Sequence, residues 1–333
     1  TDDDGNTTGE DFKGENLITG TIKGVAENRT PTVYFLSGHG EKSLDSYTKF
    51  TTNLTNYNYA AKELNLSETD SVPDDAALVL VAAPSKDITD AEAEKLNAYL
   101  DNGGNISLLM SPNGGAFAYT NLEAIMKDYG FYMDYDRVSE TNSNYHISGD
   151  KYTIQCELNE LDDDSEATDL TSSLLNQELY TFMPESRSFR YNDEGGKYTI
   201  APLITTYDSA EGEPYGGVSD DPEKQSGQML LAADSTSIAR NDSKMVVFGN
   251  AEFIDDEHVS DDTVIVPVYL FLSTISWMYD SDIDMEISTK STTNDYISLQ
   301  DAGFAKGLMV VLTVIPVAIM AAGIGIWIKR RNS

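Results

Sequence analysis

Residues 77–112, ALVLVAAPSKDITDAEAEKLNAYLDNGGNISLLMSP, decide the fold. The opening ALVLVAA is a continuous apolar run closed by Pro84, as expected of a strand buried on both faces. Thr89 and Glu92 then stand at capping-box spacing, where a hydroxyl accepts from a backbone N–H three residues on and the carboxylate reaches back. Gly103 and Gly104 supply the stop of that helix. NISLLMSP is a second buried strand. Strand, helix, strand in this order predicts a βαβ unit, because the helix returns the chain to the end of the sheet from which it started.

The same alternation extends in both directions. Upstream, TVYFLS (32–37) is a first strand that ends in YFLSGHGE (34–41). Leu44, Tyr47, Phe50 and Leu54 follow at spacings of three and four, which predicts an amphipathic helix, and YAAKEL (59–64) is a further strand. Downstream, NLEAIMKDYGF predicts a short helix, QMLLAADS and SKMVVFGN two buried strands, and VYLFLSTISWMYD a helix. The expected class is α/β with a mainly parallel sheet covered on both faces. Residues 1–30 read as a linker or the remnant of a preceding domain, 31–150 as the first part of the α/β domain, and 151–227 as a β-rich insertion. Residues 228–280 return to the sheet, 281–303 form a stalk, and 304–333 a membrane helix with a short basic tail.

The tail carries the location. Residues 307–328, GLMVVLTVIPVAIMAAGIGIWI, hold no charge, and at about 1.5 Å per residue they reach about 33 Å, enough to cross a bilayer. Lys329, Arg330 and Arg331 follow at once, so the positive-inside rule sets the C-terminus in the cytoplasm and the acidic body outside the cell membrane. Ala318 with Ala322, and Ala321 with Gly325, form small-residue faces on which another membrane helix could pack, or which could face lipid. Export of the body calls for a signal that the opening TDDDGNTTGEDFKGEN lacks, so the chain is expected to be a fragment or processed product of a longer protein.

With 56 acidic against 22 basic side chains the formal charge is -34. Nucleic acid is thereby a poor partner, since its binding rests on Lys and Arg neutralising phosphate. The single cysteine, Cys156, excludes an internal disulfide and shares one strand face with Tyr152, Ile154 and Leu158, a packing position.

Candidate chemistry is sparse. No G-x-S-x-G elbow is present, Ser111 precedes a proline that has no N–H to offer an oxyanion, and His39, His146 and His258 each lack an evident nucleophile. No catalytic residue, metal site or cofactor is therefore assigned. The stretch NAEFIDDEHVSDD (250–262) matches neither an EF-hand nor H-E-x-x-H and reads as a solvated acidic loop, with Ca²⁺ as the alternative. Gly38, His39, Gly40 and Glu41 end the first strand, where open parallel sheets place their ligands. They are the candidate ligand- or partner-binding residues, and a purely structural turn is the competing reading. A phosphate loop is disfavoured, because the fuller G-x-G-x-x-G is absent.

In order along the chain, VYFLSGHGE, Pro73 with AALVLVAAP, DITDAEAEKLNAYLDNGGNISLLMSP, SKMVVFGNAEFIDD, LFLSTISWM and the closing Lys-Arg-Arg resemble the auxiliary component of ABC-type transport systems of the gliding-motility GldG type. FKGENLITGTIKGV (12–25) is similar to the segment that precedes the first strand in that family, while IVPVY departs from its usual Gly-Asn ahead of the LF helix. The resemblance implies a flavodoxin- or glutamine-amidotransferase-like extracytoplasmic domain anchored beside an ABC permease, with the ATPase as a separate cytoplasmic subunit. The absence of G-x-x-x-x-G-K-[ST] agrees with that division. The expected function is non-enzymatic docking to the permease or to an extracellular client. Two alternatives are a solute- or carbohydrate-binding module using GHGE with Tyr34, Tyr57 and Tyr59, and a degenerate hydrolase-like enzyme.

Overall fold

The computed structural model of the chain describes residues 30–279 apart from 162–164, 166, 178, 193–195 and 218–223. The expected membrane helix with Ala318, Ala321, Ala322 and Gly325, the stalk and the opening 29 residues lie outside them. Among the described residues no helix is long and apolar enough to cross a membrane.

In chain order the elements begin with β1 (Thr32–Leu36), a 3₁₀ turn (Leu44–Tyr47), α1 (Thr48–Asn56), β2 (Ala60–Leu64), β3 (Ala76–Ala82), α2 (Asp90–Asp101), β4 (Ile106–Leu109) and α3 (Thr120–Lys127). A series of strands follows: β5 (Phe131–Met133), β6 (Asp136–Glu140), β7 (His146–Ile147) and β8 (Asp150–Leu158). After the short α4 (Ser172–Leu175) come β9 (Thr181–Met183), β10 (Phe189–Tyr191), β11 (Tyr198–Thr206), β12 (Ala210–Pro214) and β13 (Gln225–Ser226). The described chain closes with β14 (Leu230–Ser237), β15 (Ser243–Phe248) and α5 (Ile265–Met278).

Five parallel strands run in the order β2-β1-β3-β4-β15. This is the flavodoxin-like order 2-1-3-4-5 with its last place filled from late in the chain. The parallel α/β sheet expected from sequence is this half. Beyond β15 the same sheet continues through β14, β11, β8 and β7 with antiparallel pairing, and β6, β12 and β13 form a separate three-stranded sheet. Antiparallel strands begin already at β5, inside the stretch assigned above to the first part of the α/β domain.

The apolar runs are split by the two-residue period of a strand into two cores. Val33, Phe35, Leu78, Leu80, Val246 and Phe248 pack with Phe50 and Leu54 of α1 and Val266, Leu270 and Phe271 of α5. On the other face Tyr34, Leu36, Val79, Val81, Ile106 and Leu108 pack with Leu96 and Leu100 of α2 and Leu122, Ile125 and Met126 of α3. Every residue of β1 is buried, which is why it sits in the middle of the layers. The sequence-predicted cap of α2 is formed, with Glu92 N–H donating to the Thr89 side chain and Thr89 N–H to Glu92.

Candidate functional site

From β1 the chain crosses to β2 through α1 on one face, and from β3 to β4 through α2 on the other. The loops leaving β1 and β3 therefore part at the carboxyl ends of adjacent strands, the switch point at which open α/β sheets bind ligands. These loops are residues 37–43, which hold Gly38, His39, Gly40 and Glu41, and residues 83–89. The four candidate residues thus lie at that point of the sheet.

Its geometry is closed. His39 is buried at 3% exposure. Its Nδ1 lies 3.2 Å from Glu41 Oε1, and its Nε2 lies 3.1 Å from Glu92 Oε2 of α2. The His39 backbone N–H donates to Glu41 Oε2 at 2.7 Å, and its carbonyl accepts from Ser85 N, Ser85 Oγ and Lys86 N at 2.9, 3.1 and 3.2 Å. Gly40 is required here: it adopts φ 87°, and a Cβ on it would lie 1.9 Å from Ser85 Oγ. The bond to Glu41 raises the His39 pKa, burial opposes it, and Glu92 adds to the rise. For Glu92 burial acts upward, but the bonds from Thr89 and His39 outweigh it and hold the carboxyl below its ordinary value.

The next residue ties the same loop to the opposite helical layer. Lys42 Nζ donates to Asp255 Oδ2 at 2.5 Å, and Asp255 also pairs with His258 Nδ1 at 2.7 Å. Burial pushes Asp255 up, yet Lys42 and His258 bring it below the usual carboxylate value. Asp256 Oδ1 accepts from Lys49 N in the first turn of α1 at 2.7 Å. The acidic stretch 250–262 is therefore a bracket that holds α1 and the β1 loop, rather than a simply solvated loop. Among the described residues no group of three or more His, Cys, Asp or Glu side chains is placed to hold a metal ion.

A second closure, invisible in the sequence, covers the carboxyl ends of β4 and β15. Arg187 is fully buried, its N–H donates to Gly249 O at 3.0 Å, and its Nη2 donates to Ser111 O at 3.0 Å. The guanidinium lies 5.6 and 5.5 Å from the rings of Tyr119 and Tyr135, within cation–π range. Burial lowers its pKa. Gly249 permits this approach, since a Cβ there would stand 2.2 Å from the Arg187 carbonyl oxygen. In the sequence Arg187 is one basic residue between two serines, and only the glycine after a buried strand hinted that a backbone comes near.

The remaining candidates are accounted for by packing. Cys156 is buried at the β8–β9 pairing, and burial pushes its thiol up, away from thiolate chemistry. Tyr34, Tyr57 and Tyr59 are buried, so the expectation that they could face a sugar is corrected: their rings belong to the cores, and the Tyr34 hydroxyl donates to Asp75 at 2.8 Å. Ser111 Oγ accepts from Ala251 N at 3.0 Å. His146 Nδ1 bonds the Ile147 carbonyl at 2.8 Å. Chemically the switch point is a charge-paired clamp, with both ring nitrogens, the N–H and the carbonyl of His39 engaged.

Residues 30–154 match the family described as ABC-type uncharacterized transport system, a stretch running from just before β1 into β8. The match supports an ABC transport auxiliary component. No curated protein sequence matches the chain. Among solved structures, the N-terminal domain of mmIFT52 is similar with a TM-score of 0.56 and 17% identity, covering 75% of this chain and 99% of that one. At that identity the likeness concerns the fold alone. A ThuA-like protein from Bacteroides uniformis gives 0.41 and 15% over 75% of this chain and 91% of its own. A GMP synthase component from Thermoplasma acidophilum gives 0.36 and 7% over 76% and 96%.

Proposed function

From the match of residues 30–154 to the family of ABC-type transport systems, we propose that the chain is a membrane-anchored, extracytoplasmic auxiliary subunit of an ABC-type transport complex. The observation that supports a docking role is the closed switch point. The loop GHGE spends its polar groups on Glu92, Ser85 and Lys86, and Lys42 spends its own on Asp255. A head built this way offers a closed surface rather than a ligand crevice.

In this reading the subunit is non-enzymatic and of the GldG type, and ATP is hydrolysed by a separate cytoplasmic chain. The head docks to a permease or an extracellular client, with residues 38–41 shaping the contact surface. The helix 307–328 anchors it and packs on the permease through Ala318, Ala321, Ala322 and Gly325. The acidic body lies outside the membrane and the basic tail inside.

The test exchanges residues 307–328 for an unrelated apolar helix of equal length and measures cross-linking of the full chain to the permease in native membranes. Loss of the cross-link with retained membrane insertion is expected. Unchanged cross-linking would remove the helix-packing part of the reading.

A further inference from the structure

His39 holds two separate elements together, and its bonding requires a particular protonation state. A neutral imidazole carries one N–H and one lone pair, whereas the imidazolium carries two N–H groups. Here both ring nitrogens face carboxylate oxygens, which can only accept: Nδ1 faces Glu41 in its own loop, and Nε2 faces Glu92 in α2. The arrangement is fully bonded only when His39 is charged. The two carboxylates do not depend on it equally. Glu92 Oε2 also accepts from Thr89 N at 2.8 Å and Thr89 Oγ1 at 2.6 Å. Besides Nδ1, the one donor found for Glu41 among the described residues is the His39 backbone N–H, on Oε2.

We propose that His39 is a proton-controlled latch at the switch point: charged, it fastens the β1 loop to the N-terminus of α2, and on losing its proton to solvent it keeps Nδ1–H on Glu41 and releases Glu92. The Nε2 lone pair then faces a carboxylate, so this contact opens while the Thr89–Glu92 cap stays. The loop remains attached to residues 85 and 86 through its backbone carbonyl. The change is therefore a loosening of the α2 start against β1, not unfolding.

Tyr47, Tyr119, Lys42 and Glu92 around the latch keep one state through the neutral range. Burial raises Tyr47 of the 3₁₀ turn, with Asp255 and Glu41 adding to it, and burial raises Tyr119 ahead of α3, so both stay phenols. Lys42, next to Glu41 in the chain, is raised by its pairing with Asp255 against burial and stays charged. Glu92 is held low and stays ionised. His39 is the member of the set that changes charge there, and its raised pKa keeps the latch closed to a higher pH than an ordinary histidine would. This inference does not depend on the transport reading.

Two exchange measurements on the full chain in mild detergent test it. Deuterium exchange at the imidazole C2 position, followed by mass spectrometry from pH 5 to 9, gives the His39 midpoint. Amide exchange over residues 89–96, corrected for its intrinsic pH dependence, gives the opening of the α2 start. The expected result is a His39 midpoint above the ordinary 6.5 and a tenfold or greater rise in opening across that midpoint. His39→Gln, whose amide places its donors on one nitrogen and an acceptor oxygen opposite, is expected to show the high-pH opening at every pH. A midpoint at or below the ordinary value, or an α2 opening indifferent to it, overturns the latch. The wild-type titrations decide the matter even if the variant does not fold.

Discussion

Replacing Asp234 by asparagine is expected to stabilise the head. Asp234 lies within β14, opposite Ala201 of β11 and Val246 of β15, at 1% exposure. Among the described residues its Oδ1 has no hydrogen-bond partner. Burial pushes the carboxyl pKa well above its ordinary value, and the opposing pull of Lys244 does not restore it. An acid raised on folding makes the native state bind more protons than the unfolded chain. Stability therefore falls as pH climbs from about 4, the unfolded value, through the folded value. Asparagine keeps the shape and removes the ionisation. Between those two values the acid loses about 1.4 kcal/mol of stability per pH unit, and for a domain of this size each kcal/mol recovered is about 2–4 °C in melting temperature. Thermal unfolding of full-length wild type and Asp234→Asn from pH 4 to 8 measures it. The curves should meet near pH 4 and separate upward, with the variant more stable. A variant no more stable than wild type at pH 7.5, or a gap that does not widen with pH, refutes the reasoning.

Other positions give sharper signs than sizes. Gly249→Ala drives a methyl to 2.2 Å from the Arg187 carbonyl and should cost at least about 1–3 kcal/mol, the range for overpacking; an unchanged denaturant midpoint would count against the second closure. Thr89→Ala removes the acceptor for Glu92 N–H and should cost about 1 kcal/mol, read as faster amide exchange confined to the first turn of α2. Lys42→Met takes one donor from the buried Asp255 and raises that carboxyl pKa, so acid unfolding should begin at higher pH than in wild type. An identical acid transition would show that His258 alone sustains Asp255.

The parallel half of the fold was legible because its signals are local. Uninterrupted apolar runs at β1, β3, β4 and β15, and the Thr89–Glu92 cap, each lie within about ten residues, and periodicity reads such spans well. The location of GHGE followed from strand order, which those runs imply. Its internal chemistry did not, because Glu92 lies 53 residues from His39 and Asp255 lies 213 from Lys42. Glu92 was legible as a cap residue but gave no sign that its second role was a histidine partner. The antiparallel extension was harder still. Strands such as β5, β9 and β10 are three residues long, too short to show a period, and they are fixed by pairing with distant partners. Tyr34, Tyr57 and Tyr59 resembled a sugar platform in composition, and only the three-dimensional packing assigned them to the cores.

The most direct test of the central claim is affinity purification of the full-length protein from its native membrane in mild detergent, with co-eluting chains identified by mass spectrometry. A polytopic permease and a nucleotide-hydrolysing subunit are expected in constant ratio to the bait. Recovery of the protein alone, under conditions that keep other membrane complexes intact, would contradict the claim.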